Sequence, residues 1–489
     1  MAVPRSILSY PIQRRHMDLQ AALLPFTIVI ACIFLATRIT DALLVSLFLL
    51  LFVAAAGLWM ITRLSRQLED GHLQKLGYVF LCKLLLVVFV LYAGWAPQLE
   101  SAFASYGYDP QRYYFDAHAL MQSRFDLWAM PSLNYTGILL YYGLIFAMFG
   151  HNPIIPALVN TFVTLLATLL LVRVGYQIKR DRGPRDWQLG LAMLIPEVLW
   201  FDVMTSRETI VMALIVFTTI SMGGYFIERR NQPFSFRQIA ITLPAMIVLG
   251  LIRTPMLMPV IVTAFLLSAS IKPTPQRRFL GFFLFGLMVL VFWEIPTLLA
   301  YLRGYEFDYA SLIQWVTRGD EVFLSAHTWS ERSIGRMFIP GNLWEAILFT
   351  PIRMFFYLVA PLPNINIDPA GLVDGNWEDW QSLMSILSAI LYIGLFPFAI
   401  AAFIRALGDR EKRSGLVFQI PFWVTMTAIA GGNQIIHGRY RVMAVLILWG
   451  CIWLGWTGDR DRLLRRSYLL WLAILTAGGI FYAVKKFVV

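Results

Sequence analysis

The sequence predicts an all-α polytopic membrane protein of about thirteen transmembrane helices, with short turns on one side and longer segments carrying juxtamembrane or re-entrant helices on the other. Three observations predict it. Hydrophobic residues make up 58% of the 489 and charged residues only 14%, a balance that ordinary soluble domains do not carry. Apolar runs of the length a bilayer requires recur from one end of the chain to the other. The Lys and Arg residues, 40 against 29 Asp and Glu, sit in short clusters between those runs, as the control of membrane topology requires. The net charge of +11 therefore reads as orientation, and no nucleic-acid partner is expected.

Taken in order, the runs begin at Leu19, Ala42, Leu76, Ile154, Trp187, Glu208, Gln238, Met256, Phe279, Ser382, Leu416, Val442 and Leu469. Arg5, Arg14 and Arg15 precede the first without a small-residue cleavage site, so it reads as an uncleaved span. Two further runs, Tyr135 to Gly150 and Ala346 to Leu362, are only about sixteen or seventeen residues long, at the lower limit for crossing about 30 Å of hydrocarbon. If both stay on one side, 24 of the 40 Lys and Arg fall on the cytoplasmic face; if both cross, the three middle loops turn outward with ten of them, against the positive-inside bias. Both are therefore expected to be interfacial or re-entrant. Arg353, in the middle of the second, agrees, because a charge at mid-bilayer is costly.

This map gives one integral membrane domain, residues 1–489, without internal repeats or low-complexity linkers. It has two large exoplasmic segments, 97–153 with a juxtamembrane helix and 302–381, and only short cytoplasmic turns. Cys32, Cys82 and Cys451 lie inside apolar runs, which supports neither a disulfide framework nor a zinc site, and they read as packing residues. No Asp-x-Asp occurs in the first exoplasmic segment, so no metal and no cofactor is expected.

By composition the stretch Tyr106 to Pro153 is where chemistry is expected: Asp109, Arg112, Asp116, His118, Arg124 and Asp126 crowd just beyond a hydrophobic segment. A carboxylate just outside the hydrocarbon keeps enough water to ionise and still meets the head group of a membrane-anchored substrate. Asp109 can accept a proton from a sugar hydroxyl as that hydroxyl attacks an anomeric carbon, and is also an ordinary Asp-Pro turn starter. Asp116, two helical turns on, suits a second substrate or an i,i+4 pair with Arg112. On the same side the map places Ser206, Arg207 and Glu208, then Arg253, then His437, Arg439 and Arg441 in the run NQIIHGRYR. Guanidinium groups at a membrane surface suit phosphate or pyrophosphate oxygens, and also simply mark the ends of spans. Lys83, Glu197, Asp202 and Glu294 lie within or at the ends of runs, where each can pair with another helix or line a cavity.

Three patterns carry a resemblance. A span leading to Tyr-Asp-Pro-x-x-Tyr-Tyr at residues 108–114, a Pro- and Tyr-containing apolar helix ending in Phe-Gly-His-Asn-Pro at 149–153, and the late His-Gly-Arg-Tyr-Arg at 437–441 together resemble the GT-C superfamily of polyprenyl-phosphate-dependent membrane glycosyltransferases. The resemblance covers residues 76–230 and 430–457. It implies that Asp109 takes the place of the catalytic or acceptor-binding acid, that Tyr113 takes that of the following aromatic, and that Tyr135 to Gly150 is a juxtamembrane helix. Arg112, Tyr113, Asp116, Arg207, Glu208, Arg253, His437, Arg439 and Arg441 are then expected to bind substrate. The partners implied are a polyprenyl-phosphate- or pyrophosphate-linked sugar donor, a lipid or glycan acceptor of the cell envelope and membrane lipids, at the exoplasmic face of a bacterial inner membrane. Pro110 departs from the pattern, since many members carry a second acidic residue there. Alternatives are a polymerase of lipid-linked oligosaccharide repeats and, in another class, a lipid flippase or transporter, for which polar broken helices near the midplane are expected.

Overall fold

The computed structural model describes residues 43–96, 99, 109–126, 136–179, 183–228, 236–270, 286, 343–361, 367–374, 376–409, 411–432, 438–456 and 461–488. Of these residues 91% are helical and none lies in a strand. The expected runs from Leu19 and Phe279, together with His437 and Glu294, lie outside the described residues. So do Cys32 and most of the segment 302–381.

The helices, in chain order, are α1 (Leu43–Gln67), α2 (Lys75–Val90, continued by a π turn at Leu91–Trp95), α3 (Asp109–Gln122), α4 (Thr136–Phe149), α5 (Ile154–Ile178), α6 (Asp186–Leu194) and α7 (Pro196–Val203). They are followed by α8 (Arg207–Ile215, with a π turn at Val216–Ile220), α9 (Ser221–Glu228), α10 (Phe236–Arg253), α11 (Leu257–Ser270), α12 (Leu343–Val359) and α13 (Pro369–Val373). Last come α14 (Trp377–Gly408), α15 (Leu416–Gly432), α16 (Gly438–Gly455) and α17 (Arg462–Val488). Among the described residues seven helical segments are long and apolar enough to cross a membrane. The segments α4, α11 and the apolar parts of α10 and α12 are shorter, at 10–17 residues.

The run from Trp187, expected as a single span, is broken. Ile195 is extended and Pro196 opens a new helix, because proline has no N–H to continue the old one and holds its predecessor out of the helical region. The resulting α7 has eight residues and carries two buried carboxylates, Glu197 and Asp202. Five positions apart, they project roughly 140° from one another around the helix.

Each carboxylate meets a cation from another helix. Lys83 Nζ of α2 lies 2.5 Å from Asp202 Oδ2, both side chains fully buried, and Thr164 of α5 donates to Asp202 Oδ1 at 2.7 Å. On the other side Arg441 Nε of α16 donates to Glu197 Oε2 at 2.7 Å, with Ser385 and Tyr392 of α14 also donating to this carboxylate. In hydrocarbon, helices gain little from hiding apolar surface from one another, so such polar contacts and close packing set the arrangement. Gly137 shows the packing: a Cβ there would lie 2.5 Å from the Leu251 carbonyl carbon, so α4 rests directly on the backbone of α10.

The outer surface is apolar, with Phe48, Phe52, Leu86, Phe89, Ile247, Leu251, Ile390 and Leu472 exposed, as a lipid-facing surface requires. Basic loops gather at one end of the bundle. Lys75 bonds Asp186, Lys179 donates to the Trp453 and Trp456 carbonyls, and Arg405 donates to the Gly455 carbonyl at 2.6 Å and pairs with Asp461.

Helix α12, expected to be interfacial or re-entrant, is too short in its apolar part to stand among the seven candidate spans. It packs on α14, α15 and α16, with Trp344, Ile347 and Leu348 turned outward and Arg353 turned inward, where it is 1% exposed. The charge escapes the lipid by burial in protein.

The Asp202 contacts generate a stability prediction. Lys83→Met leaves an uncompensated buried carboxylate and is expected to cost about 3–5 kcal/mol, whereas the double change Lys83→Met with Asp202→Asn recovers most of it. Thermal unfolding of the detergent-solubilised variants measures both; equal losses in the single and double variants would contradict the pairing.

Candidate anion site at four helix ends

At the end of the bundle opposite the basic loops, four helix ends meet. Asp109 opens α3, Arg207 and Glu208 open α8, Arg253 closes α10, and Arg439 with Tyr440 lies in the first turn of α16. Three of these are N-terminal ends, which present unpaired backbone N–H groups and the positive pole of the helix dipole. The site is thus favourable to negative charge before any side chain is counted.

The loop before α8 is held from three sides. Asn160 of α5 donates to the carbonyls of Asp202 and Met204 at 3.2 and 3.1 Å, and Tyr142 of α4 donates to the Ser206 carbonyl at 2.7 Å. Thr205 donates to the Pro110 carbonyl at 2.6 Å and so ties the start of α8 to the start of α3. These bonds satisfy a buried non-helical turn whose carbonyls would otherwise lack partners, and they bring Asp109 beside Arg207.

Glu208, 4% exposed, stands in the middle of three guanidinium groups: Arg439 Nε at 3.7 Å, Arg253 Nη1 at 3.8 Å and Arg207 Nε at 4.0 Å. All three distances exceed hydrogen-bonding range, so the ion pairs are loose and do not consume the donors. Arg253 Nη1 is buried with no hydrogen-bond acceptor. Asp109 Oδ2 accepts from Arg439 Nη2 at 3.1 Å and lies 3.9 Å from Arg207 Nη2. Both contacts fall on Oδ2, so they do not occupy Oδ1. The Tyr440 ring lies between two cations, with Arg253 at 5.1 Å and Arg439 at 4.9 Å from its centroid, within cation–π range. Among the described residues three cations face two carboxylates, which leaves a surplus of positive charge.

Of the residues expected to act together, the structure brings Asp109, Arg207, Glu208, Arg253 and Arg439 into this cluster. Tyr113 is buried one turn along α3, close enough to Arg207 and Arg439 to interact electrostatically. Arg112 and Asp116 pair with each other at 3.2 Å along α3, with the i,i+4 geometry. Arg441 is placed elsewhere. Two residues from Arg439, it projects from a different face of α16 and is absorbed by Glu197 and by the carbonyls of Tyr357, Leu358, Ala360 and Ser385. Tyr440, Thr205 and Asn160 are not among the residues the sequence singles out. The aromatic between two arginines in GRYR is the available signal for the first; nothing local points to the other two.

No protein-family model matches the chain, and neither a curated protein nor a solved structure matches it.

The helix carrying Asp109 is anchored by a histidine pair. Gly150, at φ +92°, ends α4 with a left-handed turn that glycine adopts without strain, and the chain doubles back. His151 then stacks on His118 of α3 at 3.6 Å between ring centroids and lies tilted against Tyr114 at 4.4 Å. Burial, with a smaller contribution from His118, pushes the His151 imidazole down to about 4. Because the unfolded group has its ordinary value near 6.5, the unfolded state takes up a proton between about 6.5 and 4 that the folded state refuses. This contribution to stability is therefore full above about pH 6.5 and is lost as pH falls toward 4. Hydrogen exchange of the α3 amides, corrected for intrinsic rates, is expected to accelerate from pH 7 to pH 4.5, and His151→Phe is expected to flatten that dependence. Identical pH profiles in both proteins would contradict the assignment.

Proposed function

We propose that this chain is a GT-C-like, multi-pass membrane glycosyltransferase of about thirteen spans, transferring a sugar from a polyprenyl phosphate or pyrophosphate to a lipid-linked glycan or related envelope acceptor at the exoplasmic face of a bacterial inner membrane. The observation that carries the reading is the convergence of Arg207, Arg253 and Arg439 with Asp109 at the ends of four helices. The gathering of basic loops at the opposite end supports the sidedness, since positive loops face the cytoplasm.

In this reading the three guanidinium groups and the helix N-termini hold the donor's phosphate, whose developing charge on departure they stabilise. An acceptor hydroxyl oxygen attacks the anomeric carbon as the bond from that carbon to the phosphate oxygen breaks. The phosphate leaves with the bonding electron pair. The hydroxyl proton passes to Oδ1 of Asp109, and a single displacement of this kind inverts the anomeric centre. Glu208 keeps the three cations together without neutralising them, which allows them to accept an anionic ligand at little reorganisation cost.

Purified full-length protein incubated with a panel of synthetic polyprenyl-phosphate sugars and lipid acceptors is expected to release lipid phosphate and form a glycosidic bond. Asp109→Asn is expected to lower turnover about 100- to 10,000-fold, and Arg439→Met to lower kcat/KM about 100- to 1,000-fold. Full turnover in Asp109→Asn would remove the base and favour a repeat polymerase. Movement of labelled lipid across proteoliposomes without any new glycosidic bond would replace the enzyme by a flippase.

A further inference from the structure

Two arginines are equally buried in this part of the molecule and are treated in opposite ways. Arg441, 1% exposed, donates from Nε to Glu197, from Nη1 to the carbonyls of Tyr357, Leu358 and Ala360, and from Nη2 to the Ser385 carbonyl. Arg353, also 1% exposed, has Nε and Nη2 buried without a hydrogen-bond partner. Among the described residues no carboxylate pairs with it. A guanidinium cannot shed its proton to escape the cost, as a buried lysine can. Buried polar groups in folded proteins are almost always satisfied, and a bare cation needs a reason.

The position of Arg353 supplies one. It lies one helical turn before Tyr357 on α12, and the Tyr357 carbonyl accepts from Arg441, two residues after Arg439 on α16. Tyr357 is also within electrostatic reach of Arg353, Arg253, Arg439 and Tyr440, so Arg353 lies near the three-arginine cluster. The carbonyls of Tyr357, Leu358 and Ala360 at the end of α12 accept from Arg441 and not from Arg353.

We propose that Arg353 is a second anion subsite beside the three-arginine cluster, and that its planar fork of N–H donors receives phosphoryl oxygens. This rests on the phosphate reading of that cluster. The oxygens come either from the second phosphoryl group of one diphosphate ligand that also engages the cluster, or from the phosphate of a second lipid substrate. In both cases the empty protein carries an unpaired charge that its ligand neutralises, so ligand binding and removal of the charge are both stabilising.

The test uses the full-length protein in detergent, with inorganic phosphate and pyrophosphate as probes, read by thermal shift and titration calorimetry. Arg353→Met is expected to raise the unfolding midpoint of the ligand-free protein and to weaken anion binding by about tenfold to a hundredfold. If pyrophosphate weakens while a single phosphate does not, one diphosphate spans both subsites. If the wild type binds two phosphates and Arg353→Met binds one, two ligands are accommodated. Unchanged affinity and stoichiometry for both probes would overturn the subsite, and so would a lower midpoint or failure to fold in Arg353→Met, which would assign the side chain a structural role. Arg439→Met separates the two levels of inference: wild-type anion binding in that variant would sink the cluster reading, whatever Arg353→Met shows.

Discussion

The two carboxylates of α7 are the constraint on which the rest of the arrangement depends. Glu197 and Asp202 sit in a short helix inside the bundle, where an isolated charge would be prohibitively expensive, so each must find a cation from another helix. Asp202 finds Lys83 on α2, and Glu197 finds Arg441 on α16. The short helix thereby acts as a bracket between the early and late parts of the chain. Through Asn160, the same region fixes the turn at Met204 to Ser206, and through Arg441 it fixes the first turn of α16. Arg207 is the residue after that turn, and Arg439 lies two residues before Arg441. The surface cluster thus inherits its geometry from a buried layer that contributes none of its atoms.

A concentration of like charges would ordinarily fly apart in a medium of low dielectric constant. Here Glu208 and Asp109 offset part of the repulsion at distances of 3.1 to 4.0 Å, and the Tyr440 ring lies between two of the guanidinium groups. The contrast with Arg441, which donates to Glu197 and to four backbone carbonyls, separates two uses of the same residue type: one fastens helices together, the other gathers positive charge at their ends.

The helical class and the meeting of Asp109, Arg207, Arg253 and Arg439 were legible in the sequence because each residue stands at the end of an apolar run, and such ends share a side of the membrane. What was not legible depended on facing rather than on depth. Arg439 and Arg441 lie at the same depth but on different faces of α16, since residues two apart do not share a face. The break at Ile195 had its mark in Pro196, but the surrounding run is apolar enough to read as continuous. In the sequence Arg353 points to a helix near water, because depth alone offers no other refuge for a charge; tertiary packing provides one. The hydrogen bonds of Thr205 and Asn160 join segments 95 and 44 residues apart, and no local pattern encodes them.

The contact at Gly137 has a wider meaning. Since α4 touches the main chain of α10 at Leu251, two residues before Arg253, the reach of that guanidinium is gauged by a hydrogen atom on a different helix. Helix α4 and the cation cluster are in effect calibrated against one another at this single point. A side chain at 137 would push α4 off α10 unless both helices changed together, so this position acts as a ruler for the spacing of the cluster.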